Sequence, residues 1–255
     1  MYIQKISMEI NTGIDRDELV YEFDLLMNFY RGSGQTQGKI QCQYINENKI
    51  VCLPYTLEKD SLSEKYNNFY VNSQIKKIEA LCNSLILFKT VGKSRESYES
   101  PCMCKVPEFY ILITNYVSIS SPLTCGSCNK SVPLYRLPHY YDHGYMPILS
   151  WETNYISCDS LQMNCEIGER WSLNQIQNVK SQLSKQGLKI CKRIEELTNI
   201  STYYYLHNYK RVKGDESLKP CPVCDKKWYL KKQIHDFYDF KCDNCKIIST
   251  KSPNA

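Results

Sequence analysis

The sequence lacks several features that would place it in a common functional class. No apolar run approaches the roughly 20 residues that a membrane-spanning helix needs, so we predict no membrane partner. Glycine is scarce, with 10 residues in 255, and no phosphate-binding glycine loop is present. The first residues, MYIQKISMEI, have neither the charged-then-apolar order nor the cleavage site of an export signal. These absences predict a cytoplasmic protein.

Histidine is also scarce, and this bears on catalysis. The chain has 4 histidines, and none stands in a family signature beside a cysteine, as a catalytic thiol requires. An H-x-E motif beside a C-x-x-C pair, which marks zinc deaminases, is missing as well. We therefore predict that the protein is not an enzyme.

Charge is balanced except near the C-terminus. The formal net charge is +5, and residues 206–255 hold 11 basic and 6 acidic side chains, which accounts for the whole excess. The remaining 205 residues carry 21 charges of each sign. Dedicated nucleic-acid domains usually have a pI above about 9, whereas this sequence has a pI of about 8.4.

Cysteine, by contrast, is abundant, and its spacing carries the strongest signal. Cys221-Pro-Val-Cys224 is followed after 17 residues by Cys242-Asp-Asn-Cys245, which fits a four-thiolate Zn²⁺ site. The intervening segment can return as a β-hairpin and bring the two pairs together. Four thiolates leave no open position for a reacting water, so the site would be structural and would supply on the order of 10 kcal/mol of folding free energy. Two redox disulfides are the alternative, which a reducing compartment disfavours.

A second cysteine cluster has a similar layout. Cys102-Met-Cys104 and Cys125-Gly-Ser-Cys128 are separated by 20 residues that include an apolar β run, so we predict a second zinc site. Two rival pairings remain open for Cys125 and Cys128. One uses the two histidines of the Tyr-rich loop, and the other uses two later cysteines; the candidates are His139 with His143, and Cys158 with Cys165. Buried free thiols are the remaining interpretation, and it is the one that we adopt for Cys42, Cys52, Cys82, Cys158, Cys165 and Cys191.

Apolar periodicity predicts an α+β fold, in which a mixed α/β body precedes the C-terminal β-hairpin zinc ribbon. We predict three regions: an N-terminal α+β region at 1–100, a central region with the second cluster at 101–209, and the ribbon at 216–250. Helices are predicted at 15–30, 62–82 and 172–186, and Gly187 is predicted to interrupt the third before it resumes. The Pro- and Tyr-rich stretch from 133 to 147 is predicted to be irregular.

Two compositional features bear on a binding partner. The hairpin segment interleaves basic and aromatic residues, as phosphate-and-stacking surfaces do; these residues are Lys226, Lys227, Trp228, Tyr229, Lys231 and Lys232. The same pattern also suits a solvated hairpin in which Trp228 packs inward. The 21 tyrosines favour a protein partner, because tyrosine is enriched at protein interfaces.

Six short motifs follow one another along the second half of the chain. They are Pro122-Leu-Thr-Cys-Gly-Ser-Cys128, Pro133-Leu-Tyr-Arg-Leu-Pro138, Leu149-Ser-Trp-Glu152, Cys158-Asp-Ser-Leu-Gln-Met-Asn-Cys165 with Gly168-Glu-Arg170, Thr202-Tyr-Tyr-Tyr-Leu206 and Phe240-Lys-Cys-Asp-Asn-Cys245. Together these motifs resemble an uncharacterised bacterial family described as zinc-ribbon-containing, with nucleic-acid binding as its suggested role. The resemblance covers about residues 109–250. One departure is Asp225, where ribbons of this type usually have glycine.

The layout of two cysteine clusters on a body without catalytic motifs is also similar to double-C-x-x-C immunity proteins, which are encoded beside bacterial polymorphic toxins. This similarity implies an immunity (antitoxin) protein that binds and occludes a cognate toxin. The alternative hypothesis is a ribbon protein that binds nucleic acid or the ribosome through the hairpin lysines.

Overall fold

The computed structural model describes residues 1–11, 13–38, 40, 42–95, 99–140, 144–209 and 214–252. Helices form 36% and strands 22% of the chain, which confirms the predicted α+β class. The chain divides into two compact units. The first comprises residues 1–101, 119–121 and 130–146, and the second comprises residues 102–118, 122–129 and 147–255. The division of the chain into the three regions expected from the sequence remains a prediction.

The helices of the described residues are α1 (Arg16–Gly32), α2 (Phe69–Cys82), α3 (Met146–Asn164), α4 (Glu169–Gln177) and α5 (Gln182–Thr198). The strands are β1 (Tyr2–Glu9), β2 (Gln43–Asn46), β3 (Lys49–Cys52), β4 (Tyr55–Thr56), β5 (Leu87–Lys93), β6 (Tyr110–Leu112), β7 (Leu123–Cys125), β8 (Thr202–Tyr205), β9 (Tyr229–Ile234), β10 (Tyr238–Cys242) and β11 (Ile247–Ser249).

The first unit is built around β1. Strands β3 and β4 pair antiparallel with successive parts of β1, β5 pairs antiparallel with its other edge, and β2 pairs with β3. With α1 after β1 and α2 after β4, this is the split βαβ arrangement of ferredoxin-like folds. That arrangement hosts many unrelated functions and therefore assigns none.

Both helices of the first unit begin at side-chain caps. Asp15 accepts a hydrogen bond from the N–H of Asp17, and Asn68 accepts one from the N–H of Val71. The second cap places the start of α2 at Phe69, so the prediction of a helix from residue 62 was wrong; a short 3₁₀ turn precedes it. One face of α1 carries Leu19, Phe23 and Leu26, which are buried in the core of the first unit together with side chains of β1 and β3.

The second unit contains a six-stranded sheet in the order β7-β6-β8-β11-β10-β9. Strand β8 lies parallel to both β6 and β11, and the other neighbours are antiparallel. The predicted ribbon hairpin is present as β9 and β10. Through β11 its strands continue the sheet that carries Cys125 at the end of β7, so one sheet positions both cysteine clusters.

One helix of the second unit was not predicted, and one prediction about another was wrong. Helix α3 occupies residues for which the sequence led to no helix prediction, and α5 runs through Gly187 without the predicted interruption. The break lies between α4 and α5, where the Ser181 side chain caps α5 by accepting from the N–H of Ser184. Gly187 is instead a packing position, because a Cβ there would overlap the buried ring of Tyr204 on β8.

Candidate metal centres

The first pair of ribbon cysteines lies in a tight knuckle just before the hairpin. The N–H of Asp225 donates to the carbonyl of Cys221 at 3.0 Å, and Asp225 has a φ of +57°. Aspartate tolerates this left-handed conformation better than most residues. The departure from glycine at this position therefore leaves the turn intact.

A residue with positive φ also follows the other two C-x-x-C pairs. Asn129 follows Cys128 with a φ of +55°, and its N–H donates to the carbonyl of Cys125 at 2.8 Å. Lys246 follows Cys245, at the turn between β10 and β11, with a φ of +52°. All three pairs are thus followed by a left-handed residue, and the hydrogen bond that closes the turn is the same in two of them.

The knuckles bring the four ribbon sulfurs together. The ligand atoms of Cys221, Cys224, Cys242 and Cys245 all lie within 4.8 Å of one another. The Sγ atoms of Cys224 and Cys242 are 3.7 Å apart. A tetrahedral Zn²⁺ with bonds of about 2.3 Å separates its sulfurs by about 3.8 Å, whereas a disulfide bond is about 2.05 Å long. The donor set fits zinc and does not form disulfides.

Backbone N–H groups are directed at the ribbon sulfurs. A hydrogen bond from the N–H of Lys226 lowers the pKa of Cys224 to about 7. Cys221 is buried, and its burial raises the pKa of its thiol despite hydrogen bonds from the N–H groups of Cys224 and Val223. Such N–H donors stabilise thiolate charge, which is the form that binds metal. When bound, zinc would cross-link the two knuckles with no open coordination position.

The second cluster is assembled in the same way. The ligand atoms of Cys102, Cys104, Cys125 and Cys128 also lie within 4.8 Å of one another. The N–H of Cys104 approaches the sulfur of Cys102 at 3.4 Å, so a C-x-C pair can form a knuckle. Although burial opposes it, hydrogen bonds from Cys102 and from the N–H of Cys128 lower the pKa of Cys125.

Three of the four rival ligands for the second cluster are not brought to it. Among the described residues, neither His139 nor Cys158 nor Cys165 joins a group of metal-ligating atoms. His143, the other rival ligand, lies outside the described residues. Two four-cysteine groups can therefore hold metal ions, and both suit zinc.

The two clusters are joined by a hydrogen bond. The connection between β9 and β10 spans residues 235–237, in which His235 and Asp236 both have positive φ and the N–H of Phe237 donates to the carbonyl of Ile234 at 3.2 Å. The Nε2 atom of His235 lies 2.6 Å from the carbonyl oxygen of Gly126, between Cys125 and Cys128. The ribbon hairpin therefore contacts the knuckle of the second cluster directly, a contact that sequence spacing did not indicate.

The six remaining cysteines divide into two groups. Cys52, Cys82, Cys158 and Cys191 are buried, and burial raises the pKa of each thiol, to about 12 for Cys52. Raised pKa values make them unreactive at neutral pH. The prediction of burial was wrong for Cys42 and Cys165, which are exposed.

The hairpin surface differs from a simple basic–aromatic platform. The side chains of Lys226, Lys227, Lys231 and Lys232 are exposed. Trp228, however, is 4% exposed, packs on Phe240 with ring centroids 4.9 Å apart, and donates its Nε1–H to the carbonyl of Lys219 at 3.0 Å. Its proposed role at a stacking surface is therefore wrong, because the ring belongs to the ribbon core. Tyr229 is half-buried, with Lys251 Nζ 5.3 Å from its ring centroid.

No helix among the described residues is both long and apolar enough to cross a membrane.

Comparisons with known proteins place the chain in a family. An uncharacterised protein from Haemophilus influenzae is 32% identical over 238 residues, which cover 88% of this chain and 88% of that relative. Another uncharacterised protein from the same organism is 37% identical over 152 residues, covering 58% of this chain and 73% of the relative. No solved structure matches.

Three domains of unknown function together span most of the chain: DUF8589 matches residues 1–92, DUF2310 matches 104–207 and DUF8594 matches 210–255. The descriptions of the families and relatives carry no toxin-inhibiting or nucleic-acid-binding role, so those roles stay hypotheses. The chain belongs to the DUF2310 family.

Proposed function

We propose that the protein is a non-enzymatic binding protein whose partner is another protein, and that it acts as an immunity (antitoxin) protein by binding and occluding a cognate toxin domain. Two closed cysteine sites support a structural role for the metal, since neither set leaves a position for substrate. With their metal bound, the sites would hold the binding surface rigid and reduce the ordering cost of association.

The observation that carries this proposal is a set of large apolar side chains left in solvent where α3 ends and α4 begins. Trp171 is 59% exposed and Ile167 is 80% exposed. Met163 and Leu161 are also exposed, and Leu161 lies close to Gly168. We call these four side chains the corner patch. Tryptophan contributes disproportionately to protein–protein binding energy, and exposed apolar patches mark interaction sites.

The test begins with partner capture from the native host, followed by identification of the captured protein by mass spectrometry. The partner is expected to be a toxin domain encoded next to this gene, and co-expression of the two should restore growth. Trp171→Ala should weaken binding by at least about tenfold, because a buried aromatic anchor contributes about 2 kcal/mol or more.

The matched control is Leu218→Ala. Leu218 is 79% exposed in the same unit but lies outside the corner patch, so its loss should leave the affinity unchanged. Equal affinities of the wild type and Trp171→Ala for the partner would show that the corner patch is not part of the interface. The absence of a toxin gene beside this gene and its relatives would contradict the immunity role.

A second candidate is nucleic-acid or ribosome binding, which one specific observation favours. The four exposed hairpin lysines form no ion pair with any described acidic side chain. Unneutralised lysines on one hairpin can contact phosphates. The buried Trp228 removes the main stacking group, so any binding would be electrostatic and insensitive to sequence.

Salt dependence tests this candidate. Binding of a single-stranded oligonucleotide through four lysines should weaken steeply between low and physiological salt, with a logarithmic slope of about −3. A variant with Lys226, Lys227, Lys231 and Lys232 replaced by glutamine should lose most of that slope. A flat salt response, or an unchanged slope in the variant, would rule out this interface.

A further inference from the structure

A cavity of about 380 Å³ lies in the second unit, beside the first ribbon knuckle. Its walls come from three places: the connection between α4 and α5, the segment that follows β8, and the ribbon itself. This volume falls within the range of small-molecule sites. None of the cysteine ligands lines it, so it is separate from the metal centres.

The polar side chains that line the cavity are either positively charged or neutral. Lys180 and Lys219 both line it, and so do four side-chain amides and Ser249. No carboxylate is found among the described lining residues. Lys180 forms no ion pair with a described acidic residue. The cavity therefore offers positive charge and hydrogen-bond donors, which favour an anion.

Several of these groups are held in place before any ligand arrives. Lys219 Nζ donates to Oδ1 of Asn208 at 2.8 Å, and Asn208 Nδ2 donates to the carbonyl of Thr250 at 2.9 Å. The indole N–H of Trp228 fixes the Lys219 backbone. Two other lining residues are also bonded to each other, since Asn178 Nδ2 donates to Asn174 Oδ1 at 3.1 Å. Preorganised donors of this kind reduce the ordering cost of ligand binding.

One lining group has an unused hydrogen-bonding atom. The Nε2 atom of His207 is buried and has no hydrogen-bond partner among the described residues. Buried polar atoms usually have a partner, and a ligand or a water in the cavity could supply one. Burial lowers the pKa of His207, so the ring is neutral near pH 7 and can donate or accept.

The remaining wall is apolar. Val179, Leu206, Pro222 and Trp228 line it, and they provide a surface for a ring or another apolar group. We propose that this cavity binds a small phosphorylated molecule, with its phosphate near Lys180 and Lys219 and an apolar or planar moiety against the Trp228 side. The proposal is independent of the partner protein inferred above.

Isothermal titration calorimetry of the full-length, zinc-loaded protein tests the site with four probes: inorganic phosphate, ribose 5-phosphate, adenosine and adenosine 5′-monophosphate. Adenosine 5′-monophosphate should bind at least about tenfold more tightly than adenosine, because charge-assisted hydrogen bonds to the phosphate are lost. It should also bind more tightly than ribose 5-phosphate, which lacks the planar group.

Lys180→Ala should weaken binding of adenosine 5′-monophosphate by about tenfold. The matched control is Lys185→Ala, which removes the same charge from an exposed position on α5 outside the cavity and should change little. Both lysines are exposed, so neither substitution threatens the fold. No saturable heat with any probe at millimolar concentration, or equal weakening in the two variants, would overturn the proposal.

Discussion

At the scale of single residues, Gly187 shows how a long-range contact can override a local preference. Glycine is a poor helix former, yet here α5 continues because the missing Cβ leaves room for Tyr204, with Trp151 Nε1 3.0 Å from the Cβ position. Nothing local to Gly187 in the sequence indicates that a tyrosine on β8 packs there. A helix break was therefore the reasonable but wrong prediction.

Gly187→Ala should destabilise the second unit by about 1–3 kcal/mol, because the added methyl overpacks a closed core and outweighs the gain in helix propensity. The measurement is chemical denaturation followed by circular dichroism. Gly92→Ala is the matched control, since a Cβ there meets nothing within 4 Å. A stabilised Gly187→Ala variant would show that Tyr204 can move aside.

The ionised side chain of Glu22 stabilises the fold, and its contribution to the free energy of unfolding depends on pH. It is buried, and its carboxylate accepts hydrogen bonds from Lys77 Nζ and Gln74 Nε2, both at 2.7 Å. The Lys77 hydrogen bond holds the pKa of Glu22 below its ordinary value of 4.5. Because the folded pKa is the lower one, this contribution is fully present above about pH 4.5 and is lost as pH falls through the folded value.

Glu22→Gln should therefore lower the free energy of unfolding by about 1.5–3 kcal/mol near pH 7. The difference from wild type should shrink near pH 3.5. Glu18→Gln, on the exposed face of α1, should have little effect at either pH. A difference that does not change with pH would mean that the loss comes from packing and not from charge.

At the scale of elements, the knuckles were the most predictable part of the molecule. Four sulfurs in two C-x-x-C pairs around a hairpin are specified by short-range spacing, and the structure brings them together. The left-handed residues after each pair are Asn129, Asp225 and Lys246, and only the first two belong to types that favour this conformation. The third knuckle has lysine at the left-handed position, so its backbone conformation could not be predicted from the residue type.

Cys224→Ser should reduce bound zinc from two ions per chain to one. The ribbon would lose its cross-link, so amide protons of β9 and β10 should exchange faster, while the second cluster retains its metal. Cys165→Ser is the matched control, because Cys165 is exposed and outside both clusters. Metal analysis gives the stoichiometry, and loss of both ions in Cys224→Ser would mean that the sites bind cooperatively.

Elements whose formation depends on distant partners were not predictable. Helix α3 was missed because it has no continuous apolar stripe; polar residues such as Glu152, Asp159 and Gln162 are buried along it. Asp159 accepts a hydrogen bond from the N–H of Tyr116 at 2.8 Å, far away in sequence. Polar burial of this kind breaks the 3.6-residue pattern on which helix prediction depends.

At the scale of the whole molecule, the ribbon is part of a larger sheet. Its strand β11 pairs with β8 through Ile247–Tyr204 and Ile248–Tyr205. Deleting residues 214–255 should therefore expose the tyrosines of β8 along a new sheet edge, and such edges promote aggregation. The truncated chain is expected to be insoluble or to elute as aggregates in size-exclusion chromatography. A truncated chain that is soluble and monomeric would show that β8 does not need β11 to protect its edge.

The parallel pairing of β8 with β11 also has a consequence for biosynthesis. Strand β8 is synthesised, and emerges from the ribosome, before its partner strand β11, so its tyrosine-rich edge stays unpaired until the ribbon has folded. The nascent chain is thus most vulnerable during that interval, and shortage of zinc in the cell would prolong it. A chaperone that shields aromatic strands would be needed most in metal-starved cells.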